Sequence, residues 1–551
     1  MIEAPERERF REPVTPWLFL SGATALLVLL PIAALVVAAR QDSAGLWREL
    51  LAYVLPSALR DTALLLGGVG VLAALIGTGA AWLVTAYDFR GRTVIDWGLL
   101  LPLAVPTYII AYAYLDILHP VGPVQNALRA MLGIDSPRDL RLPDVRSMTG
   151  CIVLLAFVLY PYVYLTTRAM FLMQAASLID AARTLGVGSR AVFVRVALPL
   201  ARPAVAVGVA LALMEALNDI GASEFLGVRT MTVSIYTTWI TRSDLAGAAQ
   251  IALALLALVI GVVFVERWGR RRRRYANDAQ DLRRLVPRKL RGLQAWCALA
   301  LGIFPIAVGF VVPAAYLARA AMERALAGGI SDAILRETLN TVGVSLAATA
   351  ITVAAAVCLM YTVRLGRGRL AAIFARVASL GYAIPGTVLA IGLLPVVTSF
   401  DAIVDTATSR LWGVSTGLLV LGSGGALIYA YVTRFLAVAT GSVEAGFSRV
   451  SPSLDDAART MGWRAASRLW HIHLPLTRPA LATAALLVFV DCMKELPATL
   501  LLRPIGFETL ATHLYGEAVR GTYEDAALAA LLIVAAGLVP VVMLARVDQP
   551  R

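Results

Sequence analysis

Residues 177–204 read SLIDAARTLGVGSRAVFVRVALPLARPA, and residues 453–480 read SLDDAARTMGWRAASRLWHIHLPLTRPA. The two stretches align without a gap at an offset of 276 positions, about half of the 551-residue chain, and 14 of the 28 positions are identical. The matched pairs include Asp180 and Asp456, Arg183 and Arg459, Gly186 and Gly462, and the dipeptides Leu198-Pro199 and Leu474-Pro475. Half identity in polar stretches flanked by apolar ones marks an internal duplication. The repeated part reads as a loop, and loops carry function more often than packing.

The surroundings of both stretches are apolar. The chain is 59% hydrophobic and 15% charged, with a mean hydropathy of +0.76. Soluble chains carry about 25% charged residues. The composition is that of a polytopic membrane protein. Runs of about 20 apolar residues, enough to cross the hydrocarbon core, fall near 17–39, 62–87, 95–118, 149–171, 203–225 and 245–265 in the first half. In the second half they fall near 294–317, 338–363, 374–398, 413–436, 479–501 and 526–546. The polar start with Arg7, Arg9 and Arg11 leads into a first run without a small-residue cleavage pattern, which reads as a retained span.

The duplication reaches beyond the loops. Leu59-Arg60-Asp61-Thr62 precedes the second run and Leu335-Arg336-Glu337-Thr338 the eighth. Ala104-Val105-Pro106 lies in the third run and Ala383-Ile384-Pro385 in the ninth. An even number of spans per half gives both halves the same orientation, a parallel repeat about an axis along the membrane normal. The expected fold is all-α, about twelve transmembrane helices in two six-helix repeats. The expected layout is a first repeat over 1–265, a basic linker over 266–293 and a second repeat over 294–551. Arginines crowd both repeated loops, the segments around Arg90 and Arg364, and the linker. The positive-inside rule makes that side cytoplasmic, with both termini on it. The net charge of +13 thus reads as membrane topology and contact with anionic lipid, not nucleic-acid binding. The cysteines, Cys151, Cys297, Cys358 and Cys492, lie in or beside apolar runs and form no disulfide or zinc framework.

Each loop reads Asp-Ala-Ala, three residues, Gly, nine residues, an apolar residue, any residue, Leu-Pro. An acid at the start and alanines after it favour a short helix. Gly186 or Gly462 then falls where a helix C-terminus takes positive φ. A second short helix is expected to end at Leu-Pro, because the residue before proline avoids the α region. Pro203 and Pro479 suit the first turn of the next span. The product is a helix–turn–helix along the cytoplasmic surface.

This pattern resembles the EAA loop of binding-protein-dependent ABC importer permeases, whose consensus is Glu-Ala-Ala, three residues, Gly, nine residues, Ile-x-Leu-Pro. Asp180 and Asp456 replace the glutamate, and Val196 and Ile472 take the apolar position. The resemblance implies that the loops dock into an ATP-binding subunit dimer. The ATPase-coupling residues would be Asp180, Ala181, Ala182, Gly186, Leu198 and Pro199, with Asp456, Ala457, Ala458, Gly462, Leu474 and Pro475. It also implies a periplasmic or lipid-anchored substrate-binding protein at the opposite loops, mainly 119–148, 226–244 and 502–525. The implied location is a bacterial inner membrane. The fused form, with Lys494-Glu495-Leu496-Pro497-Ala498-Thr499 and the stretch after it, is most similar to ferric iron permeases, with thiamine and phosphonate permeases nearby.

A phosphate-binding P-loop needs Gly-Lys followed by Ser or Thr. The only lysines, Lys289 and Lys494, follow Arg288 and Met493. This chain therefore carries no Walker ATPase; no cofactor and no catalytic set are expected in it, and the resemblance implies ATP with Mg on the partner subunit. No metal-ligand cluster is legible either. His471 and His473 read as surface residues of the second loop.

Six polar residues interrupt the fifth and eleventh runs: Glu215, Asn218 and Asp219, matched by Asp491, Lys494 and Glu495. The acids are four apart in both copies, so each pair is expected on one helical face. Intramembrane ionisable groups usually face an interior path, and carboxylates suit a hard cation. The competing reading is an ion-pair network in which Lys494 neutralises Glu495. The rival function is an ion-driven secondary transporter, which explains the duplication and the acids but not the paired loop.

Overall fold

The computed structural model describes residues 15–43, 45–134, 136–140, 142–173, 188–271, 287–329, 331–366, 368–522 and 525–547. The protein is an all-helical polytopic membrane protein. Among the described residues eleven helices are long and apolar enough to cross a membrane, and a bent pair, Arg92–Ala104 with Thr107–Ile117, makes a twelfth if it counts as one span. The sheet among the described residues is a parallel ladder of Tyr87–Asp88 with Arg288–Lys289.

The chain divides into two compact units that cut across the sequence halves. One holds Met1–Gln41 with Glu337–Thr509, and the other holds Asp42–Arg336 with Leu510–Arg551. The first helix, Thr15–Ala38, therefore packs among second-half helices. Gly392 lets the backbone of Pro31 approach so closely that a Cβ would sit 2.3 Å from its carbonyl oxygen. Ser21 and Thr362 share a hydrogen bond of 2.8 Å, and Tyr429 Oη donates to Leu27 O at 2.7 Å. In the other unit, Tyr114 Oη donates to Val308 O at 2.8 Å, tying the helix after residue 293 to first-half helices. Helix Leu55–Ala86 lies on Met148–Met173 at Gly77, where a Cβ would be 2.8 Å from Tyr160 O. Close backbone approach at small residues is how helices pack when lipid removes the hydrophobic drive.

Prolines shape the helices more than the apolar runs suggest. The third and ninth runs were expected to be continuous, and both are broken. Val105 (φ −107°, ψ 118°) and Ile384 (φ −86°, ψ 123°) are extended because prolines follow them. The first break bends the chain by 93°. The tenth span runs over Gly425–Ser448 instead of 413–436, because Gly413, Gly417 and Gly424 all take positive φ. At four prolines that enter without breaking a helix, the preceding turn widens, whereas Pro31, Pro161, Pro395 and Pro540 lie within α-helices that have no such turn. The π-turns Leu50–Val54, Phe193–Ala197, Ala307–Val311 and Leu469–His473 each end two residues before Pro56, Pro199, Pro313 and Pro475. The wider turn gives the proline ring space and leaves the carbonyl it cannot bond to another donor.

Candidate functional site

The second repeated loop is described throughout. Helix Pro452–Thr460 starts at Ser451, whose hydroxyl accepts the amide of Ser453 at 3.3 Å. It ends in a left-handed turn at Gly462 (φ +79°), where Gly462 N donates to Arg459 O and Trp463 N to Ala458 O, both at 2.9 Å. That pair of bonds is a Schellman closure, the geometry the glycine was expected to serve. Asp456, Ala457 and Gly462 are exposed and Ala458 is buried. Asp456 makes an exposed pair with Arg459 at 3.4 Å. Leu454, Met461 and Trp463 are exposed apolar side chains on the same hairpin.

The expected stop at Leu-Pro does not occur. Ala465–Arg468, the π-turn and Leu474–Met493 form one continuous helix, so the hairpin's second arm runs straight into the span. Leu198 and Pro199 enter helix Leu198–Asn218 through the matching π-turn, Phe193–Ala197. Pro203 and Pro479 consequently lie inside their helices, not in a first turn. Asp180, Ala181, Ala182 and Gly186 fall outside the described residues.

His473 is not a surface residue. It is fully buried, its ring 5.4 Å from that of Tyr361 and 5.5 Å from that of Phe447, while His471 is exposed as expected. The π-turn rotates His473 inward, and its Nε2 donates to Asp455 Oδ1 at 2.8 Å. Asp455, one residue before the motif acid, also receives Arg364 Nε at 2.8 Å. Burial disfavours its charged form, but the hydrogen bonds from His473 and Arg364 outweigh that and hold its carboxyl below the usual carboxylate range. Sequence reading missed Asp455 because it breaks the repeat: Ile179 stands at the matching position.

The six polar residues of the spans separate into two groups. The helices end at Asn218 and Met493, so Asp219 and Glu495 lie beyond them and do not share a helical face with Glu215 and Asp491. Both carboxylates fold back onto the next short helix. Asp219 accepts Ser223 N at 2.9 Å, Ser223 Oγ at 3.2 Å and Thr107 Oγ1 at 2.6 Å. Glu495 accepts Ala498 N and Thr499 N at 3.1 Å and Thr499 Oγ1 at 2.9 Å. Each acid thus satisfies amides that the helix break exposes. Lys494 does not neutralise Glu495; it pairs with Asp491 at 2.8 Å, and the cation beside Glu495 is Arg434. Glu215, Asn218, Asp491 and Lys494 are part-buried.

One cavity of about 670 Å³ draws its wall from the loop after residue 226, with Tyr53, Ser57, Glu224, Arg229, Thr237 and Arg242 among its lining. Glu224 is held there by Tyr515 Oη at 2.6 Å.

A family model described as binding-protein-dependent transport system inner membrane component matches residues 68–275 and again 348–551. The Fe(3+)-transport system permease protein of Haemophilus influenzae is 24% identical over 491 residues, 88% of this chain and 89% of that protein. A probable molybdenum ABC transporter permease protein of Haloferax volcanii is 28% identical over 250 residues, 45% of this chain and 87% of that protein. The sulfate transport system permease protein of Escherichia coli K12 is 28% identical over 275 residues, 47% of this chain and 96% of that protein.

Proposed function

This chain belongs to the family of binding-protein-dependent transport system inner membrane components, and from that premise we propose that it carries ferric iron inward, driven by ATP hydrolysed on two separate subunits. One subunit docks at each repeated loop, on the cytoplasmic side, and a substrate-binding protein delivers cargo at the other. The observation that carries the coupling part is the hairpin 452–463. It presents Asp456, Ala457 and three apolar side chains outward on a capped helix, and its second arm is continuous with a span. Small exposed residues let a partner surface approach closely, and the rigid continuation converts its displacement into helix movement.

The fused length supports iron. The Fe(3+) relative aligns along most of both chains, whereas the molybdenum and sulfate relatives each match about half of this one. The competing cargo is an oxyanion, which the buried cation Arg434 beside a helix break would favour. Glu215, Asn218, Asp491 and Lys494 supply polar surface to the path, and Asp219 and Glu495 hold its broken helices.

The test is co-purification with the candidate ATP-binding subunit, followed by ATPase assays in lipid with binding protein carrying ferric iron, molybdate, sulfate, thiamine or a phosphonate. Stimulation by the ferric form alone supports the proposal. Stimulation by another form replaces the cargo. No complex at all returns the ion-driven transporter.

A further inference from the structure

Three membrane helices meet at one carboxylate. Asp455 Oδ2 receives Arg364, which lies in the last turn of helix Asp332–Leu365. The same guanidinium donates from Nη1 to Phe447 O at 2.6 Å and from Nη2 to Val450 O at 2.8 Å, closing the end of helix Gly425–Ser448. Asp455 Oδ1 receives His473, the residue that leads into helix Leu474–Met493. His473 Nδ1 is buried without a hydrogen-bond partner among the described residues. The neutral ring with its proton on Nε2 is therefore the form that fits, since a charged ring would bury an unpaired donor.

The first repeat cannot build this cluster. In the ungapped alignment of the two loops, Ile179 and Ala197 stand where the second repeat has Asp455 and His473. The acid and its histidine donor are replaced together, which is what a single device present in one copy and missing from the other leaves in a sequence.

Resting on the coupling role proposed above, we propose that Asp455, Arg364 and His473 are positioning residues that tie the second coupling helix to three membrane helices at once, so that the two loops transmit unequal shares of the ATP-driven stroke. Asp456 faces the partner; Asp455 faces the body and carries the load. A displacement of helix Pro452–Thr460 then moves the ends of Asp332–Leu365, Gly425–Ser448 and Leu474–Met493 as one piece. In the first repeat, with Ile179 and Ala197 at the matching positions, this acid–histidine tie cannot form.

The experiment uses the permease reconstituted in lipid with its ATP-binding subunits. His473→Ala installs the first repeat's residue. His473→Gln keeps an N–H donor near the position of Nε2. Asp455→Asn removes the charge. Two readouts are taken: amide hydrogen exchange over residues 452–463, and ATP hydrolysed per ferric ion imported. His473→Ala and Asp455→Asn are expected to speed exchange by about ten-fold and to raise ATP use per ion by a similar factor, with the KM for ATP unchanged. His473→Gln is expected to restore both. Wild-type exchange and wild-type ATP use in His473→Ala would overturn the proposal, and so would a His473→Gln variant as defective as His473→Ala. The exchange readout needs no cargo. A wild-type complex that imports no ferric iron would overturn the cargo reading alone, and the exchange rates would still decide the tie.

Discussion

Arg434 Nη1 stands 3.6 Å from Glu495 Oε1 with both side chains buried. Gly386 is what leaves room for the pair: a Cβ there would lie 2.5 Å from Arg434 Nη1 and 2.7 Å from Glu495 Oε1. The first repeat solves the same problem differently. Thr107 occupies the position after the broken proline, its hydroxyl donates to Asp219, and Val158 stands where the second repeat has Arg434. A buried acid needs partners: beyond the amides each accepts, Asp219 receives a hydroxyl from another helix, whereas Glu495 has a guanidinium 3.6 Å away that balances its charge without a hydrogen bond.

Gly386→Ala is expected to push these groups apart and to destabilise the protein by about 1–3 kcal/mol, the usual cost of overpacking. Gly386→Thr combined with Arg434→Val places the first repeat's residues in the second and is expected to recover most of that loss. Thermal unfolding in detergent, followed for the single and double variants, checks it. A double variant worse than Gly386→Ala would show that the two solutions are not interchangeable.

Asp219→Asn and Glu495→Gln replace carboxylates that accept backbone amides at helix breaks. Each amide side chain turns an NH2 toward a donor, so each substitution is expected to cost about 1–3 kcal/mol. The amount of folded protein should fall while the transport rate per folded molecule stays near wild type. An intact folded yield with a raised KM for cargo would instead place these acids on the cargo itself.

Gly462 has open space around its missing Cβ, so only its positive φ restricts substitution. Gly462→Val is expected to cost about 1–2 kcal/mol locally and to reduce ATP-coupled transport, with the protein still present in the membrane. Gly462→Asn, which enters the left-handed region more readily, should retain most activity. Uptake assays with matched membrane amounts distinguish the two.

The Asp455 cluster has a defined pH response. Its carboxyl is held below the ordinary value, so the stability it contributes is complete above the unfolded carboxylate pKa of about 3.9 and is lost as pH falls through the lowered folded value. The gap in unfolding temperature between wild type and Asp455→Asn is therefore expected to stay constant from about pH 7 to 5 and to close only below about pH 4. Breaking one partner of a buried pair costs about 3–5 kcal/mol, which sets the upper bound of the gap. A gap that closes between pH 7 and 5 would assign it to His473 instead.

Much of the molecule is legible in the chain because two signals are local. Apolar length places most of the spans, though not the breaks in the third and ninth or the bounds of the tenth, since a segment must cover the hydrocarbon core whatever its neighbours are. Repetition at one offset identifies the loops, and the capping chemistry of Gly462 follows from its place after an amphipathic turn. The family follows from those same residues.

What the sequence did not disclose depends on contacts between distant segments. The widened turns before Pro199 and Pro475 let helices continue where a stop was expected, because a bundle already held by packing can absorb a π-turn. The pairing of Arg434 with Glu495, and of Lys494 with Asp491, is decided by which helix lies alongside, not by spacing along one helix. The first helix packs with the second half, and no periodicity within it could reveal that partner. Asp455 and His473 are 18 positions apart and join Arg364, 91 positions from Asp455, only once the hairpin has closed on the bundle. Local propensity and hydrophobic length decided the elements and the family; burial of charge in a medium without water decided which polar residues had to meet.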